Sequence, residues 1–230
     1  MLKQKAFTLA EVLITLGVIG ILFALIMPYI TSAYKKNIVS HRLQKFYNIF
    51  NGAIELSKAE HGDPLEWTYC FSSDCLSAES QTEFFRTYLF DYMIGVKECS
   101  TTGKCANIKV PDEISKGDPN ASSWFRYVLS DGSCFGVTFG GVASDKTSVN
   151  IHGFFDYNCG SAPNIAGKDV FEFWLIPGNR KANFHYAYDP QISVMNREQL
   201  KSLCKENNAT CGALIQYDNW QVLHDYPLKF

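Results

Sequence analysis

Charge is scarce in this sequence, and neither sign dominates. Charged residues make up 19% of the 230 residues, below the roughly 25% that is usual for soluble domains. Because 21 lysines and arginines are balanced by 23 aspartates and glutamates, a basic nucleic-acid-binding surface is not expected, and we predict no specific nucleic-acid partner. The aromatic content of 14% and the hydrophobic content of 47% exclude a disordered chain and allow a real core.

The sequence also lacks the common catalytic patterns. It contains no H-E-x-x-H, no G-x-S-x-G and no Walker-type glycine loop, and its five histidines form no metal-ligating pattern. We therefore predict that the protein is not an enzyme. A secreted enzyme behind a signal peptide is the alternative, and the N-terminal segment described below bears on it.

Cysteine is absent from the first 69 residues, and all eight cysteines follow that point. An even number confined to one part of the chain predicts disulfides and an oxidising compartment. We predict bonds between the cysteines that are closest in sequence: Cys70–Cys75, Cys99–Cys105, Cys134–Cys159 and Cys204–Cys211. A zinc site is the alternative, but the sequence has no C-x-x-C pair to support it.

Residues 12–34 carry no charged side chain. At about 1.5 Å per residue, a helix of this length crosses a hydrocarbon core about 30 Å thick. Lysines flank the run on both sides and do not set its orientation, but the cysteines require the later part of the chain to lie outside the cytoplasm. A cleaved signal peptide is the alternative; its apolar region would be shorter, about 7–15 residues.

One acidic residue, Glu11, lies at the front of this apolar run. A carboxylate at membrane depth costs about 2.5–3.5 kcal/mol on insertion scales, so such a residue usually has a function and a cationic partner. The alternative interpretation is that Glu11 lies at the membrane interface and extends its carboxylate into water.

The segment KQKAFTLAEVLI, residues 3–14, resembles the processing motif of type IV prepilins and type II secretion pseudopilins. The resemblance implies that prepilin peptidase removes residues 1–6 by cutting between Ala6 and Phe7, and that the new amino terminus is methylated. Glu11 then becomes the fifth mature residue and Pro28 the twenty-second, both positions that match the family. The family usually has glycine before the cut, whereas this chain has Ala6.

The resemblance also implies a role in assembly for Glu11. Its carboxylate would pair with the Phe7 amine of a neighbouring subunit and so set the axial stagger of a filament. Pro28 would mark a region where the helix can unwind during assembly. The implied partners are filament subunits of the same or other kinds, prepilin peptidase and an inner-membrane assembly machinery.

The function implied is that of a structural subunit of a type IV pilus-like filament or a type II secretion pseudopilus. Before assembly it would span the inner membrane once, with its globular part in the periplasm or outside the cell; afterwards it would form a periplasmic or cell-surface filament. The alternative is a membrane-anchored minor pilin that acts as an adhesive or binding module. Protein secretion, adhesion and DNA uptake stay open as the system served.

The resulting organisation has four parts. A leader of residues 1–6 precedes a transmembrane and assembly helix of residues 7–30. The helix continues as an extracytoplasmic amphipathic segment, residues 31–62, whose apolar positions recur every three or four residues and end at the turn residues 62–64. That apolar stripe is Val39, Leu43, Phe46, Phe50 and Ile54. Residues 63–230 form a globular domain.

Strand and helix patterns in the globular part predict an α+β fold. We expect a helix over residues 81–93 and antiparallel strands over 124–129, 134–139, 149–156 and 170–176, the first two joined by an Asp-Gly hairpin turn. A short helix over 196–203 should lead into a disulfide-pinned surface loop at 204–211. Three or four strands packed on the long helix, with disulfide-rich loops, make a pilin-like architecture, which the family resemblance also implies.

One loop of the globular part is dense in oxygen-bearing side chains. Asp156, Asn158 and Asp169 are candidate Ca²⁺ ligands, because calcium takes about six to eight oxygen ligands. Asx turns, in which these side chains bind their own backbone, are the alternative. No other cofactor is predicted.

Overall fold

The structure, a computed structural model, describes residues 8–67, 78–99, 105, 108–115, 124–142, 149–179, 181–184 and 194–230. The predictions for Ala6 and Phe7, and for the Cys70–Cys75 disulfide, lie outside these residues.

A single long helix, α1 (Leu9–His61, 53 residues), joins the two predicted helical segments. At about 1.5 Å per residue it is about 80 Å long. Thr8 caps its first turn, and Gly62 ends it in a conformation with φ 79°, which glycine adopts without strain. The backbone N–H of Gly62 donates to the Lys58 carbonyl. The predicted end of the helix at residues 62–64 is confirmed.

Six antiparallel strands form one sheet in the order of the sequence: β1 (Val96–Glu98), β2 (Phe125–Leu129), β3 (Cys134–Val142), β4 (Val149–Asp156), β5 (Val170–Ile176) and β6 (Lys181–Asn183). The four predicted strands are β2 to β5, and their existence is confirmed. The expected total of three or four strands was too low, because β1 and β6 are three-residue edge strands too short to show alternation.

The second half of α1 packs on one face of this sheet. The predicted stripe from Val39 to Ile54 is at most 1% exposed. Phe46 lies at its centre, with ring centroids 4.7–6.0 Å from five other phenylalanines: Phe50, Phe135, Phe155, Phe173 and Phe184. Alternate residues of β3, β4 and β5 point toward this cluster, so the helix and the sheet share one core.

The edge strand β6 is also bound by the helix. The Asn51 side chain of α1 accepts a hydrogen bond from the Ala182 backbone N–H (2.8 Å) and donates one to the Ala182 carbonyl (3.2 Å). One side chain thereby satisfies the backbone donor and acceptor of Ala182, which limits pairing with another strand.

Four shorter helices complete the described part: α2 (Ala78–Tyr88), α3 (Asp112–Ser115), α4 (Arg197–Glu206) and α5 (Cys211–Tyr217). A 3₁₀ turn, Phe90–Tyr92, follows α2, so the predicted helix over 81–93 is present with a break at Leu89. The predicted surface loop at 204–211 was wrong. Its chain continues α4, forms the 3₁₀ turn Asn208–Thr210 and starts α5, and both of its cysteines are fully buried.

Three of the predicted disulfides are present: Cys99–Cys105, Cys134–Cys159 and Cys204–Cys211. The first two belong to a second, smaller core on the sheet face away from α1, together with Trp124 and Phe154. The sheet is therefore covered on both faces, by the helix on one side and by disulfide-linked loops on the other.

Candidate functional site

The first half of α1 exposes nearly all of its apolar surface. Large apolar side chains from Leu9 to Ile30 are 43–79% exposed, whereas the first buried residue of the helix is Val39. Exposed apolar patches of this extent mark interaction surfaces for membranes or other proteins. By length and composition this part of α1 is able to cross a membrane. None of its 18 most hydrophobic consecutive residues is buried.

Part of this surface forms a continuous apolar groove along one side of the helix. The residues that line it follow the helical spacing of three and four: Ile19, Leu22, Phe23, Ile26, Met27 and Ile30. Such a groove is suited to lipid chains or to the ridge of a second apolar helix.

Two threonine hydroxyls along this apolar segment are satisfied within the helix. The Thr15 hydroxyl donates to the Val12 carbonyl (2.9 Å), and the Thr31 hydroxyl donates to the Met27 carbonyl (2.9 Å). Internal hydrogen bonds of this kind allow a helix to enter a medium without water, where an unpaired polar group would cost several kcal/mol, about 4–8 on an alkane scale.

Glu11 has a partner in its own chain. Its carboxylate accepts hydrogen bonds from the Thr8 backbone N–H (2.8 Å) and the Thr8 hydroxyl (2.9 Å), while the Glu11 N–H donates to that hydroxyl (3.3 Å). This is a capping box, in which the first and fourth residues of the helix start satisfy each other. The pattern T-x-x-E, which predicts such a box, is visible in the sequence at Thr8 and Glu11. The proposed partner, the Phe7 amine, lies outside the described residues.

Pro28 lies inside α1 without ending it. Proline has no N–H to donate to the carbonyl four residues earlier, so the helix loses one hydrogen bond there. Glu11 and Pro28 are about 25 Å apart along the helix, so the structure does not bring the two predicted assembly residues together.

The candidate calcium residues do lie close together, where β4 passes into β5. The Asp156 carboxylate accepts hydrogen bonds from the backbone N–H groups of Asn158 (2.9 Å) and Gly160 (2.7 Å), and Asp169 accepts from the Ile165 N–H (3.2 Å). Local backbone hydrogen bonds, including the Asx turn from Asp156 to Asn158, therefore already engage the carboxylates of both aspartates. Within the described residues no group of three or more His, Cys, Asp or Glu side chains is arranged to hold a metal. Calcium binding stays a prediction.

This loop is electrostatically unusual. Burial raises the pKa of Asp156 to about 6. Hydrogen bonds from the loop backbone oppose this rise, and the nearby Asp169 charge adds to it. Burial also raises the pKa of Asp169. The Cys134–Cys159 disulfide and a hydrogen bond from the Arg42 guanidinium to the Tyr157 carbonyl tie the loop to β3 and to α1.

Comparison with protein families gives two matches that divide the chain near the groove. The model of a family of unknown function (DUF6613) matches residues 29–230. The chain belongs to this family. The prokaryotic N-terminal methylation motif matches residues 1–27, the segment that holds Glu11 and five of the six residues that line the apolar groove. No curated protein and no solved structure matches the chain significantly.

The two matches and the fold agree. The methylation motif confirms the resemblance to type IV pilins and pseudopilins, and the long apolar helix on an antiparallel sheet is a pilin-like α+β fold. The motif is typical of structural subunits rather than enzymes. An apolar amino-terminal helix behind this motif fits a pilin-like protein that is anchored in the inner membrane and later enters a filament.

Proposed function

We propose that this DUF6613 member is a filament subunit of a type IV pilus-like or type II secretion pseudopilus system. Prepilin peptidase would cut between Ala6 and Phe7, and the inner-membrane assembly machinery would then insert the subunit into the filament through α1. The observation that carries this proposal is that one helix is buried by its own sheet in its second half and left uncovered by the described protein in its first half.

The exposed apolar first half of α1 needs an apolar surrounding both before and after filament assembly. Before assembly the lipid core covers it; in the filament the same halves of neighbouring subunits replace the lipid. Because lipid tails are as apolar as leucine, helices in either environment keep their apolar side chains out of water, and packing decides which arrangement is preferred. The internal hydrogen bonds of Thr15 and Thr31 suit both environments.

The disulfides support an orientation with the globular domain outside the cytoplasm. Three disulfides are formed in the described part of the globular domain, and disulfides persist in oxidising compartments such as the periplasm. The domain would therefore face the periplasm or the cell exterior, with the leader on the cytoplasmic side.

Glu11 supports a place within the fibre. In the proposed assembly its carboxylate exchanges the Thr8 contacts for the Phe7 amine of the adjacent subunit. Leaving either charge alone in an apolar filament core would be costly, so the pair would fix one stagger between subunits.

Mass spectrometry of the protein from membranes and from sheared filaments tests the proposal. The expected mature protein starts at Phe7, carries a methyl group on its amine, and is present in the filament fraction. Ala6→Gly is the matched variant, because it restores the residue usual in the family; it should be processed at least as completely as the natural sequence. A mature protein that starts near Tyr34 would instead show a signal peptide and refute the proposal.

Quantitative immunoblots of the sheared filaments distinguish the place of the subunit. If this protein accounts for most of the subunits in each filament, it is a fibre-forming subunit. A few copies per filament would instead identify a minor pilin, the adhesive or binding module considered from the sequence.

A further inference from the structure

The sheet face away from α1 buries an acid and a base in contact. The His152 Nε2 of β4 lies 2.8 Å from the Glu172 Oε1 of β5, and the two residues are 7% and 1% exposed. Charged residues of these types are seldom so deeply buried unless they are paired. Neither residue has a part in the proposed assembly of the helix.

Two tryptophans enclose the imidazole. Trp174 stacks on it, with ring centroids 4.1 Å apart and an interplanar angle of 13°, and Trp124 contacts it at 4.8 Å and 66°. The strand register explains the arrangement, because His152 stands opposite Trp174 on β5 and opposite the small Thr138 on β3. Aromatic faces attract cations, so the stacked Trp174 indole favours a protonated imidazole.

Glycine makes room for this sandwich. A Cβ added at Gly140 of β3 would lie 2.3 Å from the Trp174 ring and 3.0 Å from the His152 Cβ, closer than real contacts permit. The enclosure of His152 thus depends on a residue without a side chain on the neighbouring strand, as well as on the two indoles.

Among the residues that the structure describes, the other charges on this sheet face lie farther from His152. Arg126 of β2 lies in the adjacent row, two strands from His152, and opposes an imidazolium; Asp156 lies four residues along β4, about 13 Å away, and favours one. The outward-facing residues of β3 include none that titrates, namely Gly136, Thr138 and Gly140. Of these described groups Glu172 lies nearest to the imidazole, and a carboxylate in contact with it favours the protonated form against the opposing effect of burial.

We propose that His152 and Glu172 form a buried ion pair that fastens β4 to β5 while the imidazole is protonated, and that this pair makes the globular domain sensitive to external pH. The direction of the pH dependence follows from the linkage between proton binding and folding. Because the folded protein holds the His152 proton more tightly than the unfolded chain, the stabilisation is complete below about pH 6.5, the ordinary imidazole value, and is lost as pH rises through the folded-state titration.

The direct test is an NMR titration of the histidine rings in the full-length protein in detergent micelles, with His152→Gln used to assign the His152 signal. We expect the titration midpoint of His152 to lie above about pH 7.5. Its acid dissociation constant would then be at least ten-fold smaller than that of a free imidazole, which titrates near pH 6.5. Glu172→Gln should lower that midpoint by about one pH unit or more. The matched control is Glu60→Gln on α1, whose carboxylate binds the Tyr92 hydroxyl (2.7 Å); it should leave His152 unchanged.

Two results would overturn the proposal. One is a His152 midpoint at or below about pH 6.5 in the natural sequence, a measurement that does not depend on any variant folding. The other is a Glu172→Gln shift no larger than that of Glu60→Gln. As an independent readout, the stability lost between about pH 6 and about pH 9 should be smaller in His152→Gln than in the natural protein.

Discussion

The two halves of α1 are built from similar apolar residues but differ in what covers them. In the second half, a narrow stripe of one apolar residue every three or four positions is fully buried on the sheet, and most of the remaining positions are polar. In the first half, apolar residues occupy almost the whole circumference, and they are exposed.

This difference shows where each half finds its partner. A stripe is sufficient when the partner is a single surface of the same chain. A helix that is apolar all round needs a surrounding that is apolar all round, such as lipid or several neighbouring helices. Substitutions in the second half should therefore change the stability of the domain, whereas those in the first half should change membrane insertion and assembly.

The largest expected effect is that of Phe46→Ala. Removing a buried phenylalanine ring in contact with five others should lower the free energy of unfolding by about 3–5 kcal/mol, a large part of the roughly 5–15 kcal/mol typical of a domain. Urea unfolding in detergent micelles, followed by near-ultraviolet circular dichroism, measures this.

The matched control comes from the other half of the same helix. Ile21 is 64% exposed, so Ile21→Ala should change the unfolding of the globular domain by no more than about 0.5 kcal/mol. Similar losses for Phe46→Ala and Ile21→Ala would contradict the division of the helix into two independent halves.

The next effect separates the two possible partners of Glu11. Glu11→Ala should leave the protein inserted and processed but lower the yield of sheared filaments by about ten-fold or more, because it leaves the Phe7 amine of the neighbour unpaired. Thr8→Val removes only the contacts of the Thr8 hydroxyl within the chain and should cost about 1 kcal/mol of capping.

Immunoblots of the sheared and membrane fractions compare the two variants. A filament yield for Thr8→Val well above that for Glu11→Ala supports an intermolecular role of the carboxylate. Equal losses would mean that Glu11 acts mainly as the cap of its own helix.

The sequence predicted the features that depend on periodicity. The spacing of apolar residues predicts the helix, its buried stripe and the strands β2 to β5. The absence of charged side chains from residues 12–34 predicts the exposed first half of the helix. Edge strands β1 and β6 did not follow, since three residues carry no period and their pairing is imposed by their neighbours.

Polar side chains make contacts that residue spacing does not predict. Asn51 of α1 binds the backbone of β6, and residue spacing alone does not distinguish a side chain that faces water from one that binds a strand edge. At the candidate site, Thr8 binds the Glu11 carboxylate within the chain, and the intermolecular role of that carboxylate stays a prediction. Local hydrogen bonds of short polar side chains leave little trace in hydrophobic patterns.

A smaller effect should come from the loop that Arg42 of α1 contacts at the Tyr157 carbonyl. Because burial raises the pKa of Asp156 to about 6, the folded state holds this proton more tightly than the unfolded chain does. Stability should therefore fall by about 1–3 kcal/mol as pH rises from about 4 through about 6, and level off above about pH 7. Urea unfolding over this range, with Asp156→Asn as the comparison, measures the contribution.

The Asp156 prediction concerns how the unfolding free energy changes with pH in the natural protein and in Asp156→Asn, and depends on the difference between the two. Other groups titrate in both proteins, so the decline assigned to Asp156 is the part present in the natural sequence and absent from Asp156→Asn. Parallel curves would show that the carboxylate contributes no pH dependence, and a chelator in the buffer keeps metal binding out of the comparison.

The smallest effect is expected where α1 meets the sheet through charge. Lys45 binds Asp131 in the turn between β2 and β3 at 2.9 Å, but its side chain is 43% exposed, and exposed ion pairs contribute only about 0.2–1 kcal/mol. Lys45→Gln should therefore lower the unfolding free energy several-fold less than Phe46→Ala, and high salt should reduce even this small loss. If the two variants were equally destabilised, the second half of α1 would be held by its ion pairs rather than by its apolar stripe, and the contrast with the first half would have to be explained by charge.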